Sequence, residues 1–159
     1  MNKIIISIDG PAGSGKQRIA KYIAKKYNFF HLDSGILYRR LTSIILKKKI
    51  NINNSINISK FINTLDTLSP RNHYTLRREG ISKASSKIAT FPVVRIFINN
   101  QQKIIVKKML KLFRGCVIDG RDIGSKVFTK AQIKLFIDVK VKIRAKRRHK
   151  QLIEIGEKS

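Results

Sequence analysis

Gly10-Pro11-Ala12-Gly13-Ser14-Gly15-Lys16 puts three glycines and a lysine into seven residues, directly after the apolar run Ile4-Ile5-Ile6-Ser7-Ile8. Glycine-rich backbone can curl so that successive N–H groups face one anion. A helix that starts there adds its positive end, and a lysine ammonium can reach the outer phosphates of a nucleoside triphosphate. The spacing is the G-x-x-x-x-G-K part of a phosphate-binding loop. A tight strand-to-helix turn would explain the glycines but not the lysine. Such loops also carry a Ser or Thr just after the lysine, or a Gly and then a Thr, whose hydroxyl reaches Mg²⁺. Here Gln17 and Arg18 follow. Gly10 to Arg18 is therefore expected to cradle phosphates, with the placement of Mg²⁺ in doubt and no residue assigned as a metal ligand.

Three further segments bring hydroxyl, carboxylate and guanidinium groups close together in the chain. Asp33-Ser34-Gly35-Ile36-Leu37-Tyr38-Arg39 follows a short apolar run, Ser86 and Arg95 flank Phe91-Pro92, and Asp119-Gly120-Arg121-Asp122-Ile123-Gly124 follows another apolar run. A guanidinium forks onto a phosphate better than an ammonium does. Each group also has an ordinary reading: Arg39 as a solvated helix charge, Ser86 as a surface serine, Asp119 and Asp122 as turn formers, Arg147 and Arg148 as part of a basic helix face. His31 and His73 lack partners at metal-ligand spacing. Cys116, the lone cysteine, excludes an internal disulfide framework and reads as core.

The elements that must hold these groups follow from periodicity. Strands are expected near 3–8, 29–32, 116–119 and 133–137, each a short apolar run. Helices are expected at 15–27, at 35–48 with Ser34 as its cap, near 58–67, at 79–89, at 93–113 and at 140–155. The stretch 51–57 reads as a loop and Ser69-Pro70-Arg71-Asn72 as a turn. Strands alternating with helices argue an α/β domain with a parallel sheet and ligands at the carboxyl ends of its strands.

At 159 residues the chain reads as one domain, able to bury roughly two-thirds of its unfolded surface. No apolar run approaches the roughly 18 residues of a membrane span, and no leader is read at the N-terminus, so a cytoplasmic protein is expected. The formal charge is +26. Clustered Lys and Arg would suit nucleic acid. However, Lys, Ile and Asn number 23, 27 and 10, and all three rise together in an A+T-rich gene. The lysines run along the whole chain, which favours composition drift over a dedicated nucleic-acid face.

Taken in order, the glycine loop, the Asp33–Arg39 segment, Ser86–Arg95, Gly120–Gly124 and Arg144–Leu152 resemble bacterial cytidylate kinases, nucleoside monophosphate kinases of the P-loop class. The resemblance implies a three-layer α/β/α fold with a mostly parallel sheet, four strands visible here against the family's five. It implies a core from 1–33 and 115–159 and a helical monophosphate-binding region over about 34–114. By the same resemblance ATP with Mg²⁺ would be the donor and CMP or dCMP the acceptor. Lys16, Arg39, Arg121, Arg147 and Arg148 would be the phosphate-stabilising residues. Asp33, Ser34, Tyr38, Arg39, Ser86, Arg95, Asp119, Arg121 and Asp122 would bind the acceptor. A monomer is expected, with association through an exposed edge strand open to it. The departures are the missing hydroxyl at 17 and 18, a short stretch between Leu65 and Leu76, and family segments beyond Ser159 that this sequence does not contain. The expectation is a chain shortened at its C-terminus, with slow turnover and the run 133–137 left as an edge. The rival readings are a degenerate phosphate- or nucleic-acid-binding protein on a retained fold, or another small-molecule kinase.

Overall fold

The computed structural model describes residues 2–156, so the last three residues of the domain expected over 1–159 lie outside the described residues. Its centre is a four-stranded sheet built from β1 (Ile4–Asp9), β2 (Phe30–Asp33), β3 (Gly115–Gly120) and β4 (Ile133–Phe136), in the order β2-β3-β1-β4. Every pairing is parallel. The central strands are near-continuous apolar runs because both of their faces are covered. Ile6, Ile8 and Val117 face α1 (Lys16–Tyr27), whose Ala20 and Ala24 let the helix approach closely. Leu32, Cys116 and Ile118 look the other way, into a larger core.

That larger core is assembled by α2 (Ser34–Lys47), α3 (Ser55–Ile62), α4 (Glu79–Ile88) and α5 (Pro92–Met109). Leu37, Leu41 and Ile45 recur along α2, and Val94, Ile98 and Ile105 along α5, at the spacing of one helical face. Pro92 opens α5, where its missing N–H has no helical partner to lose. The three-layer α/β/α arrangement expected from the sequence is therefore present.

Each strand lies within a residue or two of its expected place. Three helices differ at their ends. Asp33, not Ser34, stands at the N-cap of α2. The Asn-rich stretch read as a loop commits at Asn54, whose side chain accepts from Asn57 N at 3.0 Å, so α3 starts at Ser55 and ends at Ile62. α5 ends at Met109 rather than 113. Two short elements escape periodicity altogether: a 3₁₀ turn at Tyr74–Arg77 and a π-helical turn at Ile123–Val127.

The far edge is thinly covered. β4 is exposed along its length, Phe136 at 72 %. α6 (Val141–Glu154) buries only Leu152 among its residues. No described helix is long and apolar enough to cross a membrane.

Candidate active site

Because the strands are parallel, the carboxyl ends of β1, β2 and β3 lie on one side of the sheet, where crossover loops leave a crevice. β1 delivers the glycine loop. Gly13 and Gly15 take φ of 75° and 91°, and a Cβ on Gly13 would sit 2.9 Å from the Arg144 carbonyl of α6. Only glycine meets both conditions easily. Lys16 opens α1 and donates Nζ to the Pro11 carbonyl at 3.2 Å. Burial holds its ammonium below the ordinary lysine range. Asp119 and Asp33 pull the other way, and Arg121 and Arg39 add to the lowering. Lys16 thus shares one electrostatic neighbourhood with the ends of β2 and β3.

Asp33, at the end of β2, is the hub of that neighbourhood. Its Oδ2 accepts from Gln17 Nε2 at 2.8 Å and from Arg77 Nη2 at 3.1 Å, and lies 3.6 Å from Arg39 Nη2. Arg39 is half-buried, and the desolvation lowers its guanidinium below the usual range. Its Nε has no hydrogen-bond partner among the described residues. Ser34 is also buried, its hydroxyl against Gly120. Asp119, 2 % exposed, is paired with His31 Nε2. Burial raises its carboxyl above the ordinary range, against the pull of that hydrogen bond.

A second cluster lies further along the crevice. Arg95 Nη2 meets Asp122 Oδ2 at 3.0 Å, Lys126 meets the same oxygen at 3.4 Å, and Tyr38 feels both Arg95 and Asp122. Burial is the main reason that the Tyr38 hydroxyl is raised above its usual range. Asp122 stands in the left-handed region, φ 57°, at the start of the π turn. That turn is held by Asp9, the last residue of β1. Its two carboxylate oxygens accept from Ile123 N at 2.7 Å and Gly124 N at 2.9 Å.

The α6 arginines reach back to the crevice from the opposite wall. Arg147 Nη1 donates to the Gly13 and Ser14 carbonyls at 3.3 and 3.2 Å, and Arg148 Nη2 donates to Ser82 Oγ at 3.2 Å. The structure therefore brings Lys16, Asp33, Arg39, Asp119 and Arg121 together, and separately Tyr38, Arg95 and Asp122. It gives Ser86 no bond to either group: that residue is exposed, with its hydroxyl on the Ser82 carbonyl. Among the described residues no three His, Cys, Asp or Glu side chains gather as a metal cage, and Gln17 turns its amide to Asp33.

Sequence reasoning missed Arg77, Asp9 and the pairing of His31 with Asp119. Asp9 had a readable signal, a carboxylate closing a strand right before the glycine loop. Arg77 had none, since its position depends on the 3₁₀ turn. His31 and Asp119 are 88 residues apart in the chain and meet only through the register of β2 on β3.

A model of the cytidylate kinase family matches residues 6–159. The chain is 37 % identical to the cytidylate kinase of Fusobacterium nucleatum, covering 97 % of this chain and 72 % of that protein. It is 39 % identical to the cytidylate kinase of Bartonella bacilliformis, covering 98 % and 70 %. A bifunctional pantoate ligase/cytidylate kinase of Prochlorococcus marinus is 35 % identical over 94 % of this chain and 31 % of its own length. Among solved structures, TT1252 from Thermus thermophilus aligns with 99 % of this chain and 82 % of its own, at 14 % identity and a TM-score of 0.49.

Proposed function

The chain belongs to the cytidylate kinase family, and from that premise we propose that it transfers the γ-phosphoryl group of Mg·ATP to CMP or dCMP, giving ADP and CDP or dCDP. The observation that carries the site reading is the convergence of Lys16, Arg39 and Arg121 around Asp33 and Asp119 at the carboxyl ends of three parallel strands. Phosphoryl transfer asks for little covalent help from the protein; it asks for positioning and for positive charge around spreading negative charge.

The backbone of Gly10, Pro11, Ala12, Gly13, Ser14 and Gly15, with Lys16 and the start of α1 at Gln17 and Arg18, cradles the donor phosphates. Mg²⁺ would enter with the donor as Mg·ATP and would supply positive charge to the transferring phosphoryl group. Arg39, with its unpartnered Nε, and Arg121 take the acceptor phosphate. Asp33 and Ser34 border that phosphate and the sugar. Arg95 and Asp122, beside Tyr38, read the base: the Asp122 carboxylate accepts from the N4 amine and so disfavours uracil. Ser86 adds a base contact only if α4 moves toward the crevice. An acceptor phosphate oxygen attacks the γ-phosphorus in line while the bond to the ADP oxygen breaks. Arg147 and Arg148 leave their present partners and close on the transferring group.

In this reading 1–33 and 115–159 form the core of a single domain, and 34–114 form the monophosphate-binding region. The enzyme works as a cytoplasmic monomer in pyrimidine nucleotide metabolism. Its dispersed lysines hold duplex DNA only loosely and lose it at moderate salt. A coupled assay of ADP release across the four nucleoside monophosphates tests the assignment. CMP and dCMP should lead, with UMP behind and purine nucleotides inactive. Equal turnover of AMP or GMP, or none with CMP, overturns it.

A further inference from the structure

We propose that Arg77 is a third acceptor-phosphate guanidinium, delivered by the 3₁₀ turn Tyr74–Arg77 and held ready over the crevice by Asp33. The proposal rests on the reading of this crevice as the CMP site and adds a residue to it.

Two guanidiniums, Arg77 and Arg39, approach the same carboxylate oxygen, Asp33 Oδ2, at 3.1 and 3.6 Å, while Gln17 Nε2 takes it at 2.8 Å. One carboxylate cannot neutralise both arginines. Arg39 also feels the charge of Arg148 from α6, and only Asp119 adds a second, more distant negative group. Arg148 has an acidic neighbour of its own in Glu79, but Arg77 and Arg39 converge on the single near carboxylate of Asp33, and a phosphate monoester dianion would balance the charge they leave over. Beside it lies a cavity of about 200 Å³ between α1, the turn and α6, lined by the cationic Lys21, Arg77 and Arg148, the single carboxylate Glu154, and Gln17 among others.

The guanidinium is not what builds the turn. Leu76 is buried in the core, and His73 accepts from Thr75 N at the start of the turn. The backbone carbonyl of Arg77, not its side chain, accepts from Ser82 Oγ at 3.5 Å. The side chain of Arg77 remains 23 % exposed, so an incoming anion can reach it. Asp33 thus acts as a stand-in counter-charge: it fixes the direction of both arginines before the substrate arrives, and the phosphate then shares their donors. Such pre-orientation lowers the ordering that binding must impose.

The experiment titrates the full chain with CMP and with cytidine, which has the base and sugar but no phosphate. Arg77→Gln should weaken CMP by about tenfold to a hundredfold, the range of one lost charge-assisted hydrogen bond. Cytidine affinity and KM for ATP should stay within about twofold of the parent. Arg77→Lys should recover part of the CMP affinity while remaining below the parent, since an ammonium cannot fork. An unchanged CMP affinity, or an equal loss for CMP and cytidine, overturns the proposal. If Arg77→Gln does not fold, the ratio of CMP to cytidine affinity in Arg77→Lys decides in the same way. A parent chain that binds CMP no better than cytidine overturns the reading of the crevice itself.

Discussion

The half of the molecule proposed to face the acceptor and the edge formed by β4 and α6 are built by different means. On that side the helices and turns over β2 and β3 share a core of sixteen buried apolar residues, so Arg39 and Arg95 project from helices that packing holds still. On the edge, β4 is exposed throughout and α6 buries one leucine. What ties α6 to the donor loop is polar: the Arg147 bonds to the Gly13 and Ser14 carbonyls. Dense cores fix geometry, whereas a few exposed hydrogen bonds open locally at small free-energy cost. In the proposed function the acceptor side is thus pre-formed, and the wall proposed to close over the reacting phosphates is the lightly held one.

The largest effect should come from emptying the packed half. Ile98→Ala in α5 should lower stability by about 2–5 kcal/mol, measured by urea unfolding; a loss below 1 kcal/mol would mean that the helical half is loosely packed. Next comes Lys16→Ala, which removes a preformed positive group from the transferring phosphoryl. ADP release should slow by about 10²- to 10³-fold with the melting temperature nearly unchanged. Asp122→Asn sharpens the comparison within the acceptor half. It should weaken CMP by about tenfold or more and UMP much less, because only cytosine offers an amine to the lost carboxylate. Equal weakening of the two would remove Asp122 from base reading.

Cys116 gives a probe of the same packing. It lies buried in β3, and burial pushes its thiol up to about 12. A raised thiol pKa keeps the neutral form across the working range, so raising the pH from 7 to 9 should not speed its labelling by an aromatic disulfide in the native chain. Labelling should instead follow the urea transition. The smallest effect is expected on the edge: Phe136→Ser should shift stability by no more than about 0.5 kcal/mol. A loss as large as that of Ile98→Ala would show that β4 is covered in solution.

The sequence made legible whatever repeats or clusters locally. Ile-rich strands, the apolar faces of α2 and α5, and the glycine loop all show themselves within a dozen residues. Helix ends were less readable, because a cap such as Asn54 decides a boundary with a single hydrogen bond. The candidate site was legible as a set of residues but not as two clusters. Nothing in the spacing says that Asp33 gathers Gln17, Arg39 and Arg77 while Asp122 gathers Arg95 and Lys126. Those groupings arise from strand order and from two short turns that lack a hydrophobic period. Ser86 shows the reverse limit: a motif match located it, yet its hydroxyl is spent on its own helix.

Asp9 makes the two substrate loops parts of one object. The residue whose next neighbour begins the glycine loop also grips, through both oxygens, the turn that directly follows Arg121 and Asp122. Anyone who grafts a different base-reading segment onto this scaffold inherits that bracket. A transplanted loop whose amides do not meet Asp9 would misplace its own arginine and also release the first residue of the glycine loop. Base preference and triphosphate grip would then have to be engineered as a pair, with position 9 moved alongside 121–124 in every library.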